Sequence, residues 1–373
     1  MGKIGWPALG FGALAMLVAC GSSHAPKAGQ DGYSVTMPMP SATPPPRPGP
    51  AALTAAITQL HRGFGGKVGI AVESVDEHWR VTAGGGQLLP QQSVSKLWVT
   101  MTVLDAKDAG RLALTDPVTV TRQDLTLFHQ PIAGLIKNGE YHATIGELIQ
   151  RAMTMSDNTA NDKLLRIVGG PAAVRSFLTR HGIGGVRFGP GEKLLQSTTA
   201  GLEWKPQYSL GNAFARARAA LPASVRMNAF ERYVANPIDG AEPDAIASAL
   251  VRLKRGELLA PDSTAYLLTT MESARTGRAR IHGAVPPGWR YGHKTGTGQD
   301  LRTYTAGFND VGLLTAPDGR TYAVAVMIGE TDKPVRDRQA LMQAVAQAIV
   351  AAHDSSDGLA GASRSARAGR QLG

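Results

Sequence analysis

The stretch Ser93-Val94-Ser95-Lys96-Leu97-Trp98-Val99-Thr100-Met101-Thr102-Val103-Leu104 places apolar residues at 94, 97, 98, 101 and 104, the spacing of one helical face. The helix closes at Gly110, a residue suited to a helix end, and the stripe marks it as buried. Ser93 stands where a loop enters this helix, and Lys96 follows one turn later on the same face. The amine can therefore reach the hydroxyl. Taken alone, the pair reads as readily as an N-capping serine beside a solvated lysine, so its meaning rests on what surrounds it.

Upstream, Leu53, Ile57 and Leu60 give Ala51 to Arg62 a helical period that ends at Gly63. Alternation of Val68, Ile70 and Val72 then predicts a strand over Lys67 to Ser74, with a partner near Trp79 to Val81. Downstream, helices are predicted over Thr144 to Met153, Asn161 to Val168 and Ala172 to Arg180, then over Asp244 to Lys254 and Pro261 to Met271. Runs rich in β-branched and aromatic residues predict strands over Trp289 to Thr295, Thr303 to Leu314 and Thr321 to Ile328, before a closing helix from Pro334 to Ala352. This order implies an α+β fold. An antiparallel sheet flanked by helices is built from both chain ends, residues 51–92 and 240–355, and an all-helical domain, residues 93–239, is inserted between them.

Two further motifs bear chemistry. Ser156-Asp157-Asn158 falls between two predicted helices; its plain reading is a capped turn, its functional one a proton relay through Ser156 and an amide, Asn158, that orients Lys96 and a substrate. Lys294-Thr295-Gly296-Thr297-Gly298 ends a predicted strand. It reads either as a glycine-rich turn or as a strand edge that a substrate can approach closely, with Lys294 supplying charge and the Thr297 amide joining that of Ser93 as oxyanion donors.

Ser-x-x-Lys, Ser-Asp-Asn and Lys-Thr-Gly, each present once and in this order, form the set of class A β-lactamases and penicillin-binding proteins, and the chain resembles that family over roughly residues 51–352. Gly169-Gly170-Pro171 and Gly256-Glu257-Leu258-Leu259 extend the likeness. The resemblance implies hydrolysis of a β-lactam amide through an acyl-enzyme on Ser93, with Lys96 or Glu192 as acylation base and Glu192 as deacylation base. Glu192 opens Glu192-Lys193-Leu194-Leu195-Gln196, similar to the family's Glu-x-x-Leu-Asn loop; Gln196 stands where Asn is usual. Residues 198–236 look like an insertion into this loop, with Asp239 a loop-closing partner on the far side. Asn158, Gln196, Lys294, Thr295, Gly296, Thr297 and Arg302 are the expected substrate-binding positions, with Arg302 reading equally well as a structural surface arginine. His293 should face away from Lys294, by alternation along the strand. No cofactor and no metal are implied, since the nine histidines form no His-x-His or His-Glu-x-x-His pattern. The rival expectations are a penicillin-binding DD-peptidase or esterase-like hydrolase, and a non-catalytic cell-wall binding lipoprotein.

The chain's start points to export. Lys3, the apolar run from Ile4 to Ala19 and the ending Leu17-Val18-Ala19-Cys20 have signal-peptide layout, and Leu-Val-Ala-Cys resembles a lipobox, with Cys20 the lipidated residue. Eight prolines between Ala25 and Pro50 make residues 21–50 a tether. Cys20 is the only cysteine, so no disulfide supports the fold. A net charge of +10 raises nucleic acid as a partner, but the basic residues are scattered, clustering only at Arg364, Arg367 and Arg370 in a tail, 356–373, expected to be disordered. The expected protein is a monomer lipid-anchored in the periplasm, on the outer membrane by the residues after Cys20, with a small β-lactam and the membrane as its partners.

Overall fold

The computed structural model describes Gly2 and residues 45–370; Cys20, the signal-like segment and most of the proline-rich stretch lie outside the described residues. After β1 (Arg47–Pro48) comes α1 (Ala51–Phe64), which Gly65 ends at a φ of 72°. β2 (Lys67–Ser74), β3 (Trp79–Ala83) and β4 (Leu89–Pro90) follow. A 3-10 turn at Gln92–Ser95 leads into α2 (Lys96–Asp108). β5 (Pro117–Thr121) pairs antiparallel with β6 (Glu140–Thr144). α3 (Ile145–Thr154) starts where the Thr144 hydroxyl accepts the Glu147 N–H, and α4 (Asn158–Ile167) where the Asp157 carboxylate accepts that of Ala160, ordinary N-cap chemistry. α5 (Gly170–Arg180), α6 (Glu192–Thr199), α7 (Ala213–Ala220) and α8 (Ala223–Ala235) continue the helical half. β7 (Gly240–Ala241) pairs with β4 and returns the chain to the sheet half. α9 (Pro243–Lys254) and α10 (Pro261–Glu272) precede β8 (Arg290–Thr297), β9 (Asp300–Leu301), β10 (Tyr304–Thr305), β11 (Phe308–Thr315), β12 (Thr321–Glu330) and α11 (Val335–Arg370).

The main sheet runs β1-β3-β2-β12-β11-β8, so strands from both chain ends meet where β2 pairs with β12. Alternate residues leave its two faces. Val68, Ile70, Val72, Val324, Val326 and Ile328 pack toward α1 and α11 against Leu53, Ile57, Leu341, Met342 and Val345. Ala71, Val311, Leu313, Ala323, Ala325 and Met327 join the cluster of the helical half, around Leu97, Trp98, Met101 and Leu104. Because both faces are covered, β11 and β12 are buried almost end to end and read as continuous apolar runs rather than alternating ones. α2 is buried from Lys96 through Leu104, covered on every side as a central helix is, with Lys96, Thr100 and Thr102 its polar members.

The α+β architecture with a helical half between two sheet-forming ends is as the sequence implies, with four differences of detail. β1 pairs parallel to β3, so the sheet is not wholly antiparallel, and this strand falls in the stretch read as tether. The strand expected from Thr303 starts only at Phe308; before it, Asp300 to Thr305 form the β9–β10 hairpin with Arg302 at a φ of 56°. The closing helix runs from Val335 to Arg370, past the Ala352 end that the sequence period predicts. Residues 198–236, read as an insertion in the helical half, hold the helices α7 and α8. Their aromatic residues make two small clusters, one of Phe214 with Trp204, Tyr208 and Leu127, the other of Phe230 and Tyr233 with Leu195 and Leu301.

Candidate active site

A cleft of about 550 Å3 opens between β8 and the helical half. Ser93 reaches it from the 3-10 turn before α2. That turn lies directly against β8: a side chain at Gly296 would overlap the Gln91 carbonyl oxygen, so only glycine lets the strand come this close. Gln92, with φ 53°, and Ser156, with φ 60°, hold left-handed backbone on either side of the cleft, and such strain collects where the surrounding structure fixes a site.

Beneath Ser93 lies Lys96, with no exposed surface. Its Nζ is 2.7 Å from Ser93 Oγ and 2.9 Å from Asn158 Oδ1, and it is ion-paired with Glu192 Oε1. Three oxygens thus meet the three donors of one buried ammonium. Asn158 is turned toward the lysine by its own Nδ2, which donates to the Leu127 carbonyl at 2.9 Å. Lys294, likewise fully buried, donates to Ser156 Oγ at 3.0 Å and to the Thr295 carbonyl at 2.9 Å. Burial, with Lys96 nearby, holds its ammonium well below the usual lysine range, while Glu192 opposes the shift.

Glu192 is the first residue of α6. Its N–H and that of Lys193 donate to the two oxygens of Asp162, at 2.8 and 3.2 Å, satisfying donors a helix start leaves free. Burial and then the charge of Glu192 push the Asp162 carboxyl up to about 6. Gln196, one turn after Glu192, donates to Gln92 Oε1 at 2.9 Å and to Glu192 Oε2 at 3.3 Å, while its own Oε1 accepts from Gln299 at 3.0 Å. The extra methylene relative to asparagine is thus used to tie α6 to the turn that carries Ser93 and to the chain after β8. Asp239 closes the same segment from its far end, accepting the Gln92 N–H at 2.8 Å and the Tyr233 hydroxyl at 2.9 Å.

Of the residues singled out in the sequence, Ser93, Ser156, Asn158, Gln196, Thr295 and Thr297 line the cleft, Gly296 lies in the strand between the two threonines, and Lys96, Glu192 and Lys294 are buried in contact with these groups. His293 turns to the opposite side, its Nδ1 2.7 Å from Asp310 Oδ1. Arg302 does not join them: it is exposed at the tip of the β9–β10 hairpin. Its place as second cation is taken by Arg280, which lines the cleft and donates to Thr297 Oγ1 at 2.6 Å and to the Gly296 and Asn309 carbonyls at 3.0 and 2.5 Å. Burial brings its guanidinium down to about 10, still charged at neutral pH. Nothing in Arg278-Ala279-Arg280 distinguishes this arginine from its neighbour by pattern. Asp162 had a readable signal, since it follows Asn158 by four residues on one helix and so shares its face. Among the described residues no cluster of His, Cys, Asp and Glu is placed to hold a metal ion. A hydroxyl joined to an amine and a carboxylate, beside two buried cations and a strand edge, is equipped for acyl transfer from an anionic amide or ester.

Comparison with known proteins agrees with this geometry. The model of the Beta-lactamase enzyme family matches residues 52–353. Extended-spectrum beta-lactamase PER-1 of Pseudomonas aeruginosa is 28% identical over 281 residues, 75% of this chain and 80% of that protein. The crystal structure of a beta-lactamase from Chitinophaga pinensis shares the fold with a TM-score of 0.66 at 23% identity, over 80% of this chain and 97% of the other. An ancestral class A beta-lactamase gives a TM-score of 0.62 at 27% identity, over 80% and 99%. With that match spanning most of its length, the chain belongs to the beta-lactamase enzyme family, hydrolases that act on β-lactams.

Proposed function

We propose that the protein hydrolyses the β-lactam amide through an ester on Ser93. The observation that carries this reading is the Lys96 ammonium, buried among Ser93 Oγ, Asn158 Oδ1 and Glu192. Within the basic pair of Lys96 and Glu192, Lys96 passes a proton to Glu192 and, as the free amine, takes the Ser93 Oγ proton while Oγ attacks the lactam carbonyl carbon. Lys96 is the member in direct contact with Oγ, and Glu192 reaches it through Lys96. The backbone amides of Ser93 and Thr297 receive the oxyanion. The C–N bond then breaks as the pair gives up that proton through Ser156 to the leaving nitrogen, which returns Lys96 to the ammonium and Glu192 to the carboxylate. Glu192 next takes a proton from water as that water attacks the ester, and as the ester C–O bond breaks the proton returns through Lys96 to Ser93 Oγ, releasing the acid. Asn158 orients the substrate amide, and Lys294, Thr295 and Arg280 hold its carboxylate.

The engagement of Gln196 with Gln92 and Gln299 favours a second reading, a penicillin-binding or esterase-like enzyme that acylates but deacylates slowly on β-lactams. A chromogenic cephalosporin separates the two. Glu192→Gln is expected to give an acylation burst followed by stalled turnover, with the adduct on Ser93 seen by mass spectrometry. Unchanged steady-state hydrolysis in that variant discards the assignment of Glu192. We further propose export to the periplasm as a monomer anchored through lipidated Cys20, with no nucleic-acid partner; Cys20→Ala should then move the protein from the membrane to the soluble fraction. Among the described residues no helix is long and apolar enough to cross a membrane.

A further inference from the structure

The α7–α8 segment does more than cover the cleft. Phe214 and Arg218 lie one helical turn apart on α7 and therefore share a face. Phe214 is buried and packs edge-on against Phe128 at 5.2 Å between ring centroids. Phe128 lines the cleft with half its surface exposed, and its backbone is held at a φ of 59°. Arg218 also lines the cleft. Its Nη2 donates to the Asp300 carbonyl at 3.0 Å, and its Nε is buried with no hydrogen-bond partner. Arg226 on α8 is close enough to lower the Arg218 guanidinium, after burial and against Asp300, and its Nε too is buried without a partner. Neither guanidinium forms an ion pair with any carboxylate among the described residues. Two like charges brought together with donors left over are costly unless an anion completes them.

A second positive position thus exists in the cleft, apart from that of Arg280. Arg280 donates to Thr297 and Arg218 to Asp300, residues whose Cα atoms lie at most about 11 Å apart, and both arginines line the same cleft. A molecule with a carboxylate at each end can bridge that span. We propose that Arg218, reinforced by Arg226, is a subsite for a second carboxylate, carried on the acyl side chain of the substrate, and that Phe128 receives an aryl group next to it. The enzyme would then favour dianionic β-lactams with an arylacetic side chain. This deepens the β-lactam reading above and rests on it.

Benzylpenicillin and carbenicillin differ by a single α-carboxylate, so the pair isolates the subsite. Binding is measured in full-length Ser93→Ala protein, which cannot acylate, and turnover in the otherwise native enzyme tests the hydrolase reading separately. Carbenicillin is expected to bind the Ser93→Ala protein more tightly than benzylpenicillin. Adding Arg218→Gln should weaken carbenicillin about tenfold and leave benzylpenicillin within about twofold, while Arg218→Lys restores most of the difference. The carbenicillin preference should also shrink with added salt. An equal effect of Arg218→Gln on both ligands, or no preference in the parent protein, overturns the subsite whether or not the native enzyme hydrolyses either compound. Loss of turnover on both compounds with the binding preference intact would instead count against the hydrolase reading alone. Arg226→Gln, further from the cleft, should produce a smaller loss confined to carbenicillin.

Discussion

Arg280 shows how much one side chain can settle. Its fork holds the Gly296 carbonyl and the Thr297 hydroxyl together, with its plane 3.8 Å over the Phe308 ring. A point charge cannot make those contacts at once, so Arg280→Lys is expected to behave nearly as poorly as Arg280→Ala. Loss of a charged hydrogen bond to substrate costs about 1.5–3 kcal/mol, or roughly tenfold to a hundredfold in kcat/KM, carried mainly by KM because the contact exists before the chemistry. Steady-state kinetics on a penicillin, beside a thermal melt that shows the variant folded, checks this. An unaltered kcat/KM would remove Arg280 from substrate binding. The residue could not be told from Arg278 or Arg302 in the sequence, because its role comes from what β8 and β11 place around it. Ser93 and Lys96 were legible for the opposite reason, since a separation of three on a helix fixes their meeting locally.

At the scale of elements, α6 depends on α4. The first N–H groups of α6 end on Asp162, and that same α6 start sets the position of the Glu192 carboxylate against Lys96. Asp162→Ala leaves two donors without their acceptor, and is expected to lower stability by about 1–3 kcal/mol and to slow deacylation more than acylation. Asp162→Asn, whose Oδ1 still accepts one of the two, should lose less. Single-turnover kinetics combined with denaturant melts tests it; equal slowing of both steps would mean that Asp162 supports the site in general rather than Glu192 in particular. The positions of α3 and α4 were close to their sequence reading because Thr144 and Asp157 are capping residues ahead of a periodic run. The helices of residues 198–236 have no readable bounds in the sequence, since α7 and α8 are amphipathic only weakly and are defined by the aromatic residues they cover.

Across the whole molecule, the segment from Glu192 to Asp239 is gripped at both ends by buried carboxyl groups, neither of them ion-paired with a cation among the described residues. Burial pushes both Asp162 and Asp239 up to about 6. An acid whose folded pKa lies above its unfolded value contributes stability that declines as pH rises through the interval between them and is lost once both states are ionised. For Asp239 the window runs from 3.8 to about 6. The full shift corresponds to roughly 3 kcal/mol, of which about 1.4 kcal/mol falls between pH 5 and pH 8. Asp239→Asn should therefore gain on the native protein by about that amount as pH is raised from 5 to 8, in melts of the two proteins recorded side by side. Parallel pH profiles would show that Asp239 ionises as freely in the fold as out of it. The sequence by itself determined the α+β order of elements, the pairing of Ser93 with Lys96 and the strand bearing Lys294, because each follows from a period along a few neighbouring residues. Only the tertiary structure decided that Arg280 rather than Arg302 enters the cleft, that Gln196 ties three segments together and that α7 delivers Arg218. Those side chains come from stretches with no period of their own, and their directions are set by the surfaces that pack against them.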